Sequence, residues 1–150
     1  IIPGAQHWPS FQRNTSEQFE ARWTQVRIPA SQSIVFQGLA GASLPIAVAH
    51  GEGRAVFASE AHYTALHAAG GVGMEYGTPE ALASTYPHNP NGSHQAVASV
   101  CNADGRITLM MPHPERTVLS STGSWWAGNE GEATLWFELF KNAYRWSVAQ

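Results

Sequence analysis

The sequence predicts one α/β domain that is rich in strands and contains two helices. Two apolar runs, at residues 46–49 and 107–111, have the length and composition of buried strands. A third observation is the helical spacing of aromatic and aliphatic side chains within residues 132–147. Because no repeat, linker or low-complexity segment interrupts the chain, its 150 residues suit a single domain.

The first predicted strand lies within residues 13–28 and ends before Pro29. In its first part, charged side chains such as Glu20 and Arg22 alternate with apolar ones, as expected for an extended segment. We interpret Glu20, beside a basic neighbour, as part of a solvated or cross-strand ion pair. A short apolar segment follows at residues 33–39.

The strand at residues 46–49 ends in His50, Gly51 and Glu52, inside a glycine-rich turn. Glycines allow backbone N–H groups to approach a ligand closely. The turn is therefore a candidate binding element. The alternative is a tight hairpin turn with a surface ion pair between Glu52 and Arg54.

The middle of the chain predicts one helix and two further strands. The helix covers residues 59–69, because Ser59 suits the N-cap and two glycines provide a C-terminal stop. The strands lie at residues 72–76 and 96–101. Between them, residues 86–93 are rich in turn formers, and we assign them no catalytic role.

A hairpin turn at residues 104–105 leads into the strand at residues 107–111, which ends at a Pro-His-Pro-Glu string. Pro114 directs His113 away from helical dihedrals. Side chains two positions apart in an extended segment leave on the same side. His113 and Glu115 can thus project together as a base and the carboxylate that orients it. The alternative is a strand-end turn whose histidine only caps a loop.

A closing helix is predicted at residues 132–147. Its apolar stripe is expected to face the core, whereas Glu138 and Asn142 lie off the stripe and are expected to be solvated. The stripe consists of Trp136, Leu139, Phe140, Ala143 and Tyr144.

Composition excludes several classes of function. A formal net charge of −3 provides no basic footprint for nucleic acid or an anionic membrane. The chain has no apolar run of about 18 residues, and its single cysteine, Cys101, excludes an internal disulfide. We expect a cytosolic protein in which Cys101 is a small apolar filler. A metal site that uses His50, His88 or His113 lacks compact ligand spacing and remains an alternative.

Five strings carry a family resemblance. They are Ile-Pro-Gly at residues 2–4, Ser-Glu-Gln-Phe-Glu-Ala-Arg at 16–22, Ala-His-Gly-Glu-Gly-Arg at 49–54, Asn-Pro-Asn-Gly-Ser at 89–93 and Met-Met-Pro-His-Pro-Glu-Arg at 110–116. Together they resemble the C-terminal glutaminase domain of the large, single-chain phosphoribosylformylglycinamidine synthases, within the class I (triad) glutamine amidotransferases. The resemblance implies a flavodoxin-like α/β fold with a mixed sheet and few helices.

The resemblance also implies a reaction. A cysteine thiolate attacks the glutamine amide, His113 transfers the proton to the departing ammonia, and Glu115 holds His113. His50, Gly51 and Glu52 are implied to line the glutamine pocket. Ammonia then passes to a synthetase domain of the same enzyme, which uses ATP and magnesium to act on formylglycinamide ribonucleotide. No cofactor is expected in the segment itself.

In this family the nucleophile lies in a Gly-x-Cys-x-Gly turn, which the sequence lacks. We therefore expect residues 1–150 to form the last part of a glutaminase domain, without its nucleophile, and to be inactive alone. Two alternatives remain open. One is a non-catalytic module that docks on a synthetase, and the other is a stand-alone small glutaminase subunit of the same pathway.

Overall fold

The structure is a computed structural model that describes residues 2–123 and 131–149. The strands in this part of the chain are β1 (Ser10–Gln12), β2 (Glu20–Arg27), β3 (Ser43–His50), β4 (Arg54–Val56), β5 (Val72–Tyr76), β6 (Val97–Cys101) and β7 (Thr108–Met110). The α-helices are α1 (Glu60–Ala68) and α2 (Phe137–Val148). Short 3-10 helices lie at Ile34–Phe36, His94–Ala96, Pro114–Arg116 and Ser120–Thr122.

Five strands form one sheet in the order β3-β2-β5-β6-β7, and β1 pairs with β4 in a separate ribbon. Every strand pairing within the described residues is antiparallel. After β7 the chain crosses to the free edge of β3, where the His113 N–H donates to the Ala47 carbonyl at 2.8 Å. The sheet is therefore curved enough for the segment that follows its last strand to reach its first. This is the α/β architecture with few helices that the sequence predicts.

The core lies in two clusters of buried apolar side chains. The larger one joins the sheet to α2 and to the 3-10 helix at Ile34–Phe36. It contains Val26, Ile28, Phe36, Leu39, Ile46, Val48, Met74, Tyr76, Ala96, Ala98, Trp136 and Leu139. The smaller one lies beneath α1 and contains Ala55, Leu66, Val72, Val97 and Val100.

The two apolar runs form edge strands instead of fully buried ones. In β3 only the alternate residues Ile46 and Val48 are buried, and all three residues of β7 are half-buried. Apolar composition alone does not distinguish an edge strand made of small residues from a central strand, because both read as continuous apolar runs.

The orientation of α2 differs from the predicted stripe. Leu139 is buried as expected, but Phe140 and Tyr144 are 47% and 68% exposed. Asn142, which was expected to be solvated, is buried and donates to the carbonyls of Val35 and Gln37 at 3.0 and 2.8 Å. Its amide satisfies carbonyls that a short 3-10 helix leaves unpaired. The spacing of apolar residues in the sequence does not reveal that these carbonyls need a buried donor.

Candidate active site

His113 and Glu115 form a hydrogen-bonded pair immediately after β7. The Nδ1 atom of His113 lies 2.8 Å from Oε1 of Glu115, and the two side chains are 29% and 53% exposed. His113 has the non-helical dihedrals that the following proline favours (φ −111°, ψ 82°). Glu115 lies within the 3-10 helix Pro114–Arg116. The predicted pairing is present, although it arises from a helical turn instead of a fully extended segment.

The pairing determines what His113 is able to do. A carboxylate at Nδ1 holds the proton on that nitrogen and orients the ring, which leaves Nε2 for proton exchange with a reacting group. Buried prolines on either side, Pro112 and Pro114, and the backbone bond to Ala47 fix the position of the residue. The arrangement suits a general acid–base that is partly exposed to solvent.

The turn that follows β3 is braced by a buried asparagine, Asn14. Its Nδ2 donates to the carbonyls of His50 and Gln18 at 2.7 and 2.9 Å. Its Oδ1 accepts from the Gly53 N–H at 3.3 Å and lies 3.2 Å from Nδ1 of His50. Because both amide protons are used on carbonyls, Oδ1 must be the acceptor and Nδ1 of His50 must carry the proton.

Glu20 lies directly opposite His50 in the pairing of β2 with β3. It is buried, accepts from Ser16 Oγ at 2.9 Å and pairs with Arg22. Arg22 in turn bonds to the hydroxyl of Tyr86 and lies 4.5 Å from the centre of that ring. Glu20 does form an ion pair, but the prediction of a solvated or cross-strand pair is wrong, because the partner lies on the same strand and the carboxylate is buried.

His50 and His113 lie close enough to interact electrostatically. Burial lowers the pKa of His50 below its ordinary value, and the nearby His113 lowers that pKa further, while a backbone hydrogen bond and, to a smaller extent, Glu20 oppose the shift. The lowered pKa favours a neutral His50 imidazole beside His113.

The predicted pocket residues differ in their surroundings. The Gly51 carbonyl accepts from the Asn14 N–H at 2.9 Å, so it belongs to the braced turn. Glu52 is exposed, and within the described residues its carboxylate makes neither a hydrogen bond nor an ion pair. The alternative Glu52–Arg54 ion pair does not form. Gly53 is in close contact with His50. A Cβ at position 53 would lie 2.5 Å from the His50 ring, so only glycine fits there.

A family model of the CobB/CobQ-like glutamine amidotransferase domain matches residues 1–147. The chain belongs to this family. A solved structure, that of PurLQS from Thermotoga maritima, is similar with a TM-score of 0.64 and 21% sequence identity. The match covers 93% of this chain and 53% of that chain, so the sequence spans about half of the length of the matched chain. At this identity the likeness shows the fold, which is consistent with a class I glutamine amidotransferase fold.

The one cysteine of this amidotransferase domain is unsuited to be the partner of His113. Cys101 is buried at the end of β6, its Sγ lies 3.6 Å from the Gly70 carbonyl, and burial raises the pKa of its thiol. The chain segment that leads to His113 instead bonds to Ala98, toward the other end of β6. Cys101 is a small buried filler, as predicted.

A cavity of about 360 Å³ borders Ser16, the residue that donates to Glu20. It is lined by Thr15, Ser16, Ser84, Thr85, Tyr86, Asn89, Pro90 and Gly92. Neither Asn14 nor the loop at residues 86–93 was predicted to belong to the site, although both border the turn. The signal available was the density of asparagine, serine and threonine next to strand ends, where such side chains bond to backbone groups.

Two other features bear on the class of site. The described residues contain no group of three or more His, Cys, Asp or Glu side chains that could hold a metal ion, which leaves the histidine metal site without support. In the same residues, neither helix has the length and apolar character needed to cross a bilayer.

Proposed function

We propose that this chain is the glutaminase part of a phosphoribosylformylglycinamidine synthase. It would supply ammonia from glutamine for the ATP-dependent amidation of formylglycinamide ribonucleotide in purine biosynthesis, in the cytoplasm. The observation that carries the proposal is the 2.8 Å contact between His113 and Glu115 in a member of the CobB/CobQ-like glutamine amidotransferase family. The five sequence strings and the fold likeness to PurLQS support the choice of synthase.

The proposed chemistry is acyl transfer through a thioester. A cysteine thiolate attacks the glutamine amide carbon, His113 delivers a proton to the departing ammonia, and Glu115 stabilises the imidazolium. His113 then takes a proton from the water that hydrolyses the thioester. Because Cys101 is buried with a raised pKa, we assign the nucleophile to a cysteine outside these 150 residues.

We assign glutamine binding to the turn formed by His50, Gly51 and Glu52, whose backbone groups face the amino-acid end of the substrate. The rigid bracing of this turn by Asn14 supports the assignment. ATP and magnesium would act in the synthetase domain, and none of the described residues is assigned to them.

The test compares the isolated chain with the intact synthase that contains it. The intact enzyme should release ammonia from glutamine and should use either glutamine or added ammonia for synthesis. The isolated chain should release none, since triad members act as a unit. Steady glutamine turnover by the isolated chain, lost in His113→Ala, would contradict the assignment of an external cysteine.

The same assay separates the alternatives. A non-catalytic docking module would bind the synthetase but leave synthesis dependent on added ammonia. A small separate subunit would require a second polypeptide for synthesis, which a reconstitution from purified components would reveal.

A further inference from the structure

The loop at residues 86–93 contributes a second buried asparagine to the glutamine-pocket turn. Asn91 is fully buried, and its Nδ2 donates to the Gly53 carbonyl at 2.7 Å and to the Tyr76 hydroxyl at 3.3 Å. Asn14 holds the N–H side of the same glycine at 3.3 Å. The two asparagines therefore hold Gly53 by both of its backbone polar groups.

The direction of the Asn91 amide is fixed by its own loop. Its Oδ1 accepts from the N–H and the Oγ of Ser93 at 3.0 and 2.7 Å. With the oxygen committed to two donors, the NH₂ group must face Gly53. Thr15 donates through both its N–H and its Oγ1 to the Asn91 carbonyl, at 3.1 and 3.2 Å, which ties the loop to the residue next to Asn14.

Gly53 lies in direct contact with the His50 ring. The imidazole packs so closely on this glycine that a Cβ added to Gly53 would lie 2.5 Å from the ring. A displacement of Gly53 by a few tenths of an ångström would therefore move the ring and the adjoining turn. Small displacements of binding groups are costly in a site that must orient its substrate.

We propose that Asn91 is a positioning residue for glutamine binding, acting through the Gly53 carbonyl on the pocket turn. The proposal rests on the proposed function of that turn. It gives a structural role in the site to the Asn-Pro-Asn-Gly-Ser loop, which was assigned no catalytic role from the sequence.

The experiment uses Asn91→Asp in the intact synthase, with Asn142→Asp as the matched control. Asn91→Asp keeps the shape and the bonds from Ser93 but places a carboxylate oxygen against the Gly53 carbonyl. Asn142→Asp also removes two amide donations, here to the carbonyls of Val35 and Gln37 beside α2 and not to the turn at residues 50–53. The KM for glutamine should rise about ten- to hundredfold in Asn91→Asp and stay at the wild-type value in Asn142→Asp. Activity with added ammonia should be unchanged in both.

Each other outcome is decisive. An unchanged KM for glutamine in folded Asn91→Asp overturns the proposal, as does an equal rise in Asn142→Asp or an equal loss with added ammonia. If Asn91→Asp does not fold, Asn91→Ser, which removes the donor without adding charge, takes its place under the same criteria. If the wild-type enzyme releases no ammonia from glutamine, the proposed function itself fails, and this role for Asn91 fails with it.

Discussion

The two halves of the candidate site are held in place by different means. The turn at residues 50–53 is fixed by buried side chains that are distant in sequence, Asn14 and Asn91. The His113–Glu115 pair is half-exposed and forms between residues two positions apart, with one backbone bond to β3. The pocket therefore depends on the whole fold, whereas the acid–base pair depends on a short segment. Substitutions in the first half should cost stability, and those in the second should cost activity alone.

On the proposed function, the largest expected effect is that of His113→Ala in the intact enzyme. Glutamine-dependent synthesis should fall by at least about 10³-fold, since the general acid–base is lost. Synthesis from added ammonia should persist, and the free energy of unfolding should change by less than about 0.5 kcal/mol because the side chain is partly exposed. Steady-state assays with both nitrogen sources and thermal unfolding measure these quantities. Equal loss with both nitrogen sources would show that His113 is structural.

Asn14→Ala, in contrast to His113→Ala, is expected to lower the stability of the fold. This change leaves the His50 and Gln18 carbonyls and the Gly53 N–H without their partner. The free energy of unfolding should fall by about 2–4 kcal/mol, as measured by chemical denaturation. A loss below about 1 kcal/mol would mean that the turn is held by other contacts, and the contrast between the two halves would not stand.

Glu115→Gln should have a smaller effect than His113→Ala. The amide oxygen still accepts from Nδ1 of His113, but the charge that stabilises the imidazolium is gone. Because the carboxylate is 53% exposed and solvent screens it, we expect kcat/KM for glutamine to fall only about ten- to hundredfold. A loss as large as that of His113→Ala would show that the negative charge of Glu115 is required, and not only its hydrogen bond to His113.

The difference between the locally formed His113–Glu115 pair and the turn held by distant residues explains which parts of the site could be predicted from the sequence. The His113–Glu115 pairing was predicted because the two residues are close in sequence and are fixed by neighbouring prolines, although a 3-10 turn and not an extended segment brings them together. The bracing of the turn was not, because Asn14 and Asn91 approach it from positions 36 and 38 residues away, for which local patterns carry no signal. Asn142 was misplaced for a related reason. Apolar spacing locates a helix, but the unpaired carbonyls of a neighbouring 3-10 helix decided which face is buried.

The smallest expected effect is a pH dependence of stability that arises from His50. Burial lowers the pKa of this imidazole below 6.5, so the folded state holds it neutral while the unfolded chain binds a proton near pH 6.5. Below that pH the unfolded state binds more protons, so the contribution of His50 is complete above pH 6.5 and is lost on acidification. The slope is at most about 1.4 kcal/mol per pH unit. Thermal unfolding between about pH 8 and pH 5 should therefore show a smaller loss of stability in His50→Gln than in the wild-type chain. If His50→Gln keeps the wild-type pH profile, the fold does not favour the neutral form of the His50 imidazole.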